Sequence, residues 1–319
     1  MASLSQPCAA NPRTVTNSVT DFHTDLMDTI PLGRTIAYGN GNFMVTRNKA
    51  TEQSKLIGEH PNSGFFFDWF KCEDTPATAH KKHRKLTNKG INRATLIDHL
   101  SQWIVKHHVT EARIARIERK KQLLDKHGFT QYMEGKIPFP IRSETTQKGN
   151  LGEIILAEYL TETSGLKILV HKLRYNPNVE QSMKGDDLLL FDKNNIQNKV
   201  IMGEAKFRTA RSKQALDDIV KSLSKKNLPI SLTFVSDRLE EMGDINLANE
   251  VDELVTKIHA KKTPITYVGF YHSDAFIHKT IEKHLASDNS NLIIVSYGEE
   301  NPAKLIRDSF KEALRMVME

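Results

Sequence analysis

Hydrophobic and polar positions follow different patterns in the two halves of this chain. The first seventy residues contain few long periodic patterns, and residues 35–45 predict two short strands joined by a hairpin turn at Gly39, Asn40 and Gly41. Between residues 95 and 127 the hydrophobic residues recur every three, four or seven positions, which predicts a long helix or a pair of helices. The N-terminal half is therefore expected to be an α+β region, mixed at first and then helical.

Beyond residue 148 the pattern alternates between helical and strand-like segments. Helices are predicted at 149–163, 212–224, 245–260, 275–285 and 302–318. Strands are predicted at 167–170, 187–191, 200–207, 230–235, 264–271 and 292–297. Strands separated by helices of this length are typical of α/β proteins, so we expect a C-terminal α/β domain.

Residues 137–148 interrupt both patterns. They include Pro138 and Pro140, followed by Ser, Thr and Gln, and they show no apolar period. We therefore predict an N-terminal region at 1–136, a linker at 137–148 and a C-terminal domain at 149–319.

Composition narrows the class of protein. With 39% hydrophobic and 26% charged residues among 319, the chain is expected to be globular. Its two cysteines exclude a disulfide framework and a four-cysteine zinc site, and no apolar stretch is long enough for a membrane span or a signal peptide. We expect a cytoplasmic protein without membrane association. No phosphate-loop motif is present, so ATP hydrolysis through that motif is not expected.

The net charge of +6 is concentrated in one region. Residues 71–126 hold 14 basic and six acidic residues, whereas the rest of the chain holds 31 basic and 33 acidic ones. The predicted helical segment carries much of this excess, with Arg113, Arg116 and Lys120 as candidate nucleic-acid contacts. The alternatives are an ordinary solvated helix surface or a surface that docks against an acidic partner.

Two groups of residues in the N-terminal region allow either a structural or a functional interpretation. The aromatic residues between 65 and 70 are able to stack on bases, but core packing is the favoured interpretation. His80 with His83, and His107 with His108, suggest a metal site; because neither pair has a recognised ligand spacing, a solvated surface is favoured.

Acidic residues and a lysine fall at informative positions in the C-terminal half. Glu204 and Lys206 are two residues apart in a predicted strand, so their side chains share a face. Asp187 opens the preceding apolar run, and the polar segment 192–198 between the two runs predicts a hairpin. The hairpin would set the carboxylates of Asp187 and Glu204 side by side.

Paired carboxylates repel each other unless a cation lies between them. Mg²⁺, or Mn²⁺ in its place, suits such a site, with Asp187, Glu204 and the backbone carbonyl of Ala205 as ligands. Glu153, from the predicted helix, would complete the acidic rim directly or through water. Lys206 would hold a water molecule or stabilise charge developing on a phosphate. These parts suit phosphodiester hydrolysis; the alternative is a surface ion pair on an edge strand.

The order of these motifs resembles that of the PD-(D/E)XK nuclease superfamily. The motifs are Lys148-Gly149-Asn150-Leu151-Gly152-Glu153, Gly185-Asp186-Asp187-Leu188-Leu189 and Gly203-Glu204-Ala205-Lys206-Phe207. Within the superfamily, the first and third motifs resemble those of HamA-type subunits of the Hachiman antiphage system, from about residue 148 to the C-terminus. The resemblance implies a central mixed sheet flanked by helices, catalytic roles for Glu153, Asp187, Glu204 and Lys206, and a helicase partner, HamB.

One position departs from the superfamily pattern. Asp186 stands where a small residue or proline is usual, so either Asp186 or Asp187 is able to bind the metal. Asp187 is favoured because it directly precedes the apolar strand. Gln214, on the following helix, would be either a polar contact to the site or a surface residue, and the surface is favoured.

Three functions remain open from the sequence. The leading hypothesis is a magnesium-dependent DNA nuclease that serves as the effector of a bacterial defence complex and is held inactive by its partner. A sequence-specific restriction endonuclease would use the same catalytic residues but would give discrete fragments. A catalytically inactive DNA-binding or scaffold subunit would bind DNA without metal-dependent cleavage.

Overall fold

The computed structural model describes residues 50–124, 127–223 and 229–319. Residues Ala50–Glu319 form one compact unit. The predicted hairpin at 35–45 lies outside the described residues. In the part of the chain that is described, no helix is both long enough and apolar enough to cross a membrane.

The described chain alternates between helices and strands. The N-terminal elements are α1 (Glu52–Ile57), α2 (Gly64–Trp69), β1 (Phe70–Asp74), β2 (His83–Asn88), α3 (Arg93–His108), α4 (Glu111–Leu124) and α5 (Phe129–Met133). The central elements are α6 (Glu144–Ser164), a 3-10 turn (Lys172–Tyr175), β3 (Leu188–Phe191), β4 (Val200–Phe207) and α7 (Lys213–Ser222). The C-terminal elements are α8 (Leu232–Glu241), α9 (Ile245–His259), β5 (Ile265–Asp274), α10 (Ile277–His284), β6 (Leu292–Glu299) and α11 (Pro302–Met318).

The six strands form one mixed sheet in the order β1-β2-β6-β5-β4-β3. The four inner strands run parallel to one another, whereas β1 and β3 pair antiparallel with them at the two edges. Nearly every residue of β5 and β6 is buried, as expected for parallel strands covered on both faces. The predicted α/β class with a mixed sheet between helices is confirmed.

Each face of the sheet packs on its own set of helices. Alternation along β4 sends Ile201, Ala205 and Phe207 toward the cluster that includes α3, α6 and α11. The opposite side chains, Val200 and Met202, join the cluster formed by α7, α8, α9 and α10. Helix α6, on the first of these faces, packs against β4 and the edge strand β3. The candidate site lies at this edge of the sheet.

The N-terminal region and the C-terminal half share this sheet. β2 pairs with β6, more than 200 residues later in the chain, with His83 opposite Ile294. Helix α6 begins at Glu144 with Ser143 as its N-cap, so the last five residues of the predicted linker are helical. Segments on both sides of the predicted linker thus contribute strands to one sheet.

Two predicted strands were wrong. The segment 230–235 begins helix α8, whose buried Leu232, Val235 and Leu239 are spaced by three and four. A short apolar run does not distinguish a buried strand from a buried helix. The segment 167–170 makes only an isolated bridge between Lys167 and Phe191, on the edge of β3 opposite to β4.

The predicted helical pair is confirmed as α3 and α4.

The aromatic residues between 65 and 70 were expected to pack in the core, and this interpretation is confirmed. Phe66, Trp69 and Phe70 are buried, and both Trp69 and Phe70 contact Tyr297 of β6. These contacts fix β1 and β2 to the central sheet.

The surface interpretation of the histidine pairs was wrong for three of the four residues. His83, His107 and His108 are buried, whereas His80 is exposed. Each buried ring has a polar partner: His83 lies 2.6 Å from Ser296 Oγ, His107 2.7 Å from Glu158 Oε1 and His108 2.9 Å from Asn150 Nδ2. These partners offset the cost of burying an imidazole.

Candidate active site

Asp187 occupies the point where β3 begins. The β3–β4 ladder starts with Leu188 opposite Gly203, and Asp187 lies just outside it. Its Oδ2 atom accepts a hydrogen bond of 2.8 Å from the backbone N–H of Ala205. The Asp187 carboxylate therefore accepts the hydrogen bond that a backbone carbonyl of β3 would accept if the ladder continued as far as Ala205.

Glu204 and Lys206 lie together on one face of β4, as their spacing predicted. The Lys206 ammonium forms an ion pair with Glu204 Oε1. Ser222, at the end of α7, donates a hydrogen bond of 3.1 Å to Glu204 Oε2. Both carboxylate oxygens are thus engaged, one by a cation and one by a hydroxyl.

Helix α6 brings Glu153 to the same place. A side chain at Gly203 would meet Leu156 Cδ2 at 2.9 Å and Leu188 Cβ at 3.0 Å, so glycine permits the helix to approach β3 and β4 closely. Glu153 lies one turn before Leu156 and points into a cavity that Asp187 also lines. The helix, the start of β3 and the middle of β4 therefore bring Glu153, Asp187 and Glu204 near enough for their charges to influence one another.

Lys172 is the residue that the sequence analysis missed. It lies in the 3-10 turn, and its ammonium is 3.3 Å from Glu153 Oε2 and 3.8 Å from Asp187 Oδ1. It also donates a hydrogen bond of 2.9 Å to the carbonyl of Asp186. A single lysine in an irregular segment carries no motif, so no signal in the sequence pointed to it.

The acids interact strongly with one another. Burial, followed by repulsion from Asp187, raises the pKa of Glu153 above its ordinary value, although Lys172 opposes the shift. Burial and repulsion from Glu204 likewise raise the pKa of Asp187. Buried carboxylates that repel one another are stabilised by a bound cation, because its positive charge offsets the repulsion.

Asp186 has a different role from Asp187. Its carboxylate accepts a hydrogen bond of 2.8 Å from the backbone N–H of Ser231, and its own N–H donates to Ser231 Oγ at 2.8 Å. Gly185, with a φ of 113°, makes the turn that directs Asp186 toward α8. The carboxylate of Asp187 is therefore the one next to β4. Gln214 is exposed and donates to Asp218, which confirms the surface interpretation.

The atoms that Asp187, Glu204 and the Ala205 carbonyl offer are oxygens, the ligand type that Mg²⁺ takes. Along β4 the odd-numbered backbone groups face β3, so the carbonyl of Ala205 points to the same edge as its N–H group. Over the described residues, no three His, Cys, Asp or Glu side chains form a ready-made ligand cluster. A site here would thus combine few carboxylates with a backbone carbonyl and water, which is the ligand set that Mg²⁺ prefers.

The basic residues of α4 form a separate surface. Helix α4 buries none of its residues; Arg113 and Arg116 are exposed and Lys120 is partly so. The three line a groove together with Tyr132 and Lys136, and the ammonium groups of Lys120 and Lys136 lie 5.8 and 4.6 Å from the Tyr132 ring centre. Cations beside a partly exposed aromatic ring suit a nucleic-acid strand.

Two comparisons with known proteins identify the family of this chain. The family model named HamA matches residues 64–313. The Hachiman protein HamA of Bacillus cereus is 39% identical over 270 residues, which cover 84% of this chain and 98% of that protein. Both matches extend well before residue 148, where the motif resemblance began. The chain therefore belongs to the HamA family of the Hachiman antiphage system.

Proposed function

We propose that this chain is a metal-dependent DNA nuclease that acts in the cytoplasm as the effector of a Hachiman defence complex and is controlled by a helicase partner. The observation that carries the proposal is the convergence of Glu153, Asp187, Glu204 and Lys206 at one edge of the sheet. Paired carboxylates with a lysine beside them are the parts that phosphodiester hydrolysis needs.

Asp187, Glu204 and the carbonyl of Ala205 would hold Mg²⁺ or Mn²⁺, with Glu153 contributing directly or through water. A bound ion would supply Lewis-acid charge to the scissile phosphate. The chain's own contribution is to orient these oxygens, because the Ala205 N–H fixes Asp187 and Ser222 fixes Glu204.

Lys206 is the cation that the chain itself supplies. Its ammonium is held by Glu204 and is still about one quarter exposed, so it is able to reach a substrate while it stays paired. In that position it would hold the attacking water and stabilise negative charge that develops on the phosphate. A basic group already fixed in place does this without reorganisation during the reaction.

The proposed activity is tested with the full chain, alone and in complex with the helicase. DNA cleavage is expected with Mg²⁺, to be lost in chelator, and to be faster once the complex is triggered by DNA. Fragment lengths are measured on gels, and a broad distribution is expected rather than discrete bands. Absence of cleavage under every condition, with DNA binding retained, would assign the chain an inactive binding role. Equal rates for the isolated chain and the triggered complex would refute control by the helicase.

The surface of α4 is proposed to attract the phosphate backbone. Reversing the charge of Arg113, Arg116 and Lys120 to Glu is expected to weaken DNA binding and to flatten its salt dependence, since each lost phosphate contact reduces the slope by roughly 0.9. Binding is measured at several salt concentrations. The matched control reverses three exposed basic residues of α11, Lys304, Arg307 and Lys311. An unchanged slope with loss of helicase binding would instead assign α4 to the interface between the subunits.

A further inference from the structure

Lys172 is held in place by the structure around it. Only 11% of its side chain is exposed, and its ammonium contacts Glu153, Asp187 and the carbonyl of Asp186. A lysine is rarely buried to this extent unless its charge is paired, because desolvating the ammonium is costly. The cluster of acids supplies that pairing.

The turn that carries Lys172 is fixed to α3. Arg174, two residues later, donates two hydrogen bonds to the carbonyl of Lys106, at 3.2 and 2.8 Å. The ring of His171, on the other side, packs edge-on against His107 at 4.6 Å between ring centres. The position of the ammonium is therefore set by contacts to α3 as well as by the acids.

The charges of the site are nearly balanced by the chain itself. Lys206 pairs with Glu204, and Lys172 lies between Glu153 and Asp187. The Oδ2 atom of Asp187 accepts the N–H of Ala205, and its Oδ1 atom lies on the Lys172 side, 3.8 Å from the ammonium. A divalent ion bound to Glu153 and Asp187 would thus meet an ammonium at close range, and the two cations repel each other.

We propose that Lys172 is an internal counter-ion that neutralises Glu153 and Asp187 in the resting protein and competes with the divalent metal for them. This inference rests on the proposed function, because it concerns the same metal site. It adds a regulatory step: metal binding requires the Lys172 ammonium to move away.

The test measures binding of Mn²⁺ to the full chain by calorimetry, without DNA. Lys172→Gln is expected to bind Mn²⁺ at least tenfold more tightly than the wild type, because the competing charge is gone. Lys172→Arg keeps the charge and is expected to bind no more tightly than the wild type. The control Lys184→Gln removes an exposed lysine close by in sequence and is expected to change the affinity less than twofold.

The outcomes separate the inference from the proposed function. One outcome is that Lys172→Gln binds Mn²⁺ no more tightly than the wild type, while Asp187→Asn does not bind it. This outcome would refute the counter-ion role of Lys172 and would leave the proposed metal site standing. Binding that does not depend on Asp187, or no binding by any variant, would overturn both. If Lys172→Gln is unfolded in chelator, Mn²⁺ is expected to restore its circular dichroism spectrum, and failure to do so would also refute the counter-ion.

Discussion

Asp187→Asn is expected to lower the rate of metal-dependent DNA cleavage by about a thousandfold, since losing a metal ligand removes several kcal/mol of transition-state stabilisation. Asparagine keeps an oxygen that is able to accept the Ala205 N–H, so the local backbone is retained. What is lost is the negative charge next to Glu153 and Glu204. Cleavage is measured under single-turnover conditions with saturating Mg²⁺.

The control for this variant is Asp192→Asn at the other end of β3. Asp192 follows Phe191 and caps the exposed turn through Asn198, away from the cluster of acids. The Asp192→Asn variant is expected to cleave DNA at the wild-type rate. A companion variant, Lys206→Met, is expected to lose cleavage but to retain Mn²⁺ binding. Full activity in both Asp187→Asn and Lys206→Met would show that the reaction occurs elsewhere.

The second large effect concerns stability. Arg84 and Asp74 form a buried ion pair across β1 and β2, with Nε–Oδ1 at 2.7 Å and Nη2–Oδ2 at 2.9 Å. Arg84 also donates to the carbonyl of Gly58 at 2.9 Å, which ties these strands to the end of α1. Asp74→Ala would leave a buried guanidinium without its carboxylate, and we expect a loss of about 3–5 kcal/mol in the free energy of unfolding.

Denaturant titration of both proteins measures this loss, and a neighbouring pair provides the control. Glu73 pairs with Lys85 in the same two strands, but 62% of its side chain is exposed. Glu73→Ala is therefore expected to cost less than about 1 kcal/mol. Equal effects of the two substitutions would contradict the importance of burial at Asp74.

The effect of Asp74→Ala is also expected to depend on pH. Burial opposes ionisation of Asp74, but the hydrogen bonds and charge of Arg84 prevail and hold its pKa below the ordinary value of 3.8. The ionised carboxylate thus contributes stability that is fully present above pH 3.8 and is lost as the pH falls through the lowered pKa. The difference between wild type and variant should accordingly shrink in acid.

Elements with a strong hydrophobic period were predictable because their burial pattern is local. The paired helices α3 and α4 and the strands β4, β5 and β6 all appear close to their predicted positions. The edge strand β1 and its neighbour β2 were missed, since Lys71, Glu73 and Lys85 give them a polar pattern. Their place in the sheet depends on pairing with β6 far along the chain, which no local window detects.

The sequence by itself determined which acids and which lysine of β4 come together. Glu204 and Lys206 share a face because strand side chains alternate, and Asp187 meets Ala205 because the short turn makes β3 and β4 a hairpin. Only the tertiary structure decided which cation neutralises Glu153 and Asp187. Lys172 belongs to an irregular turn whose position is set by α3 and Asp186, and packing between distant segments leaves no periodic trace in the sequence.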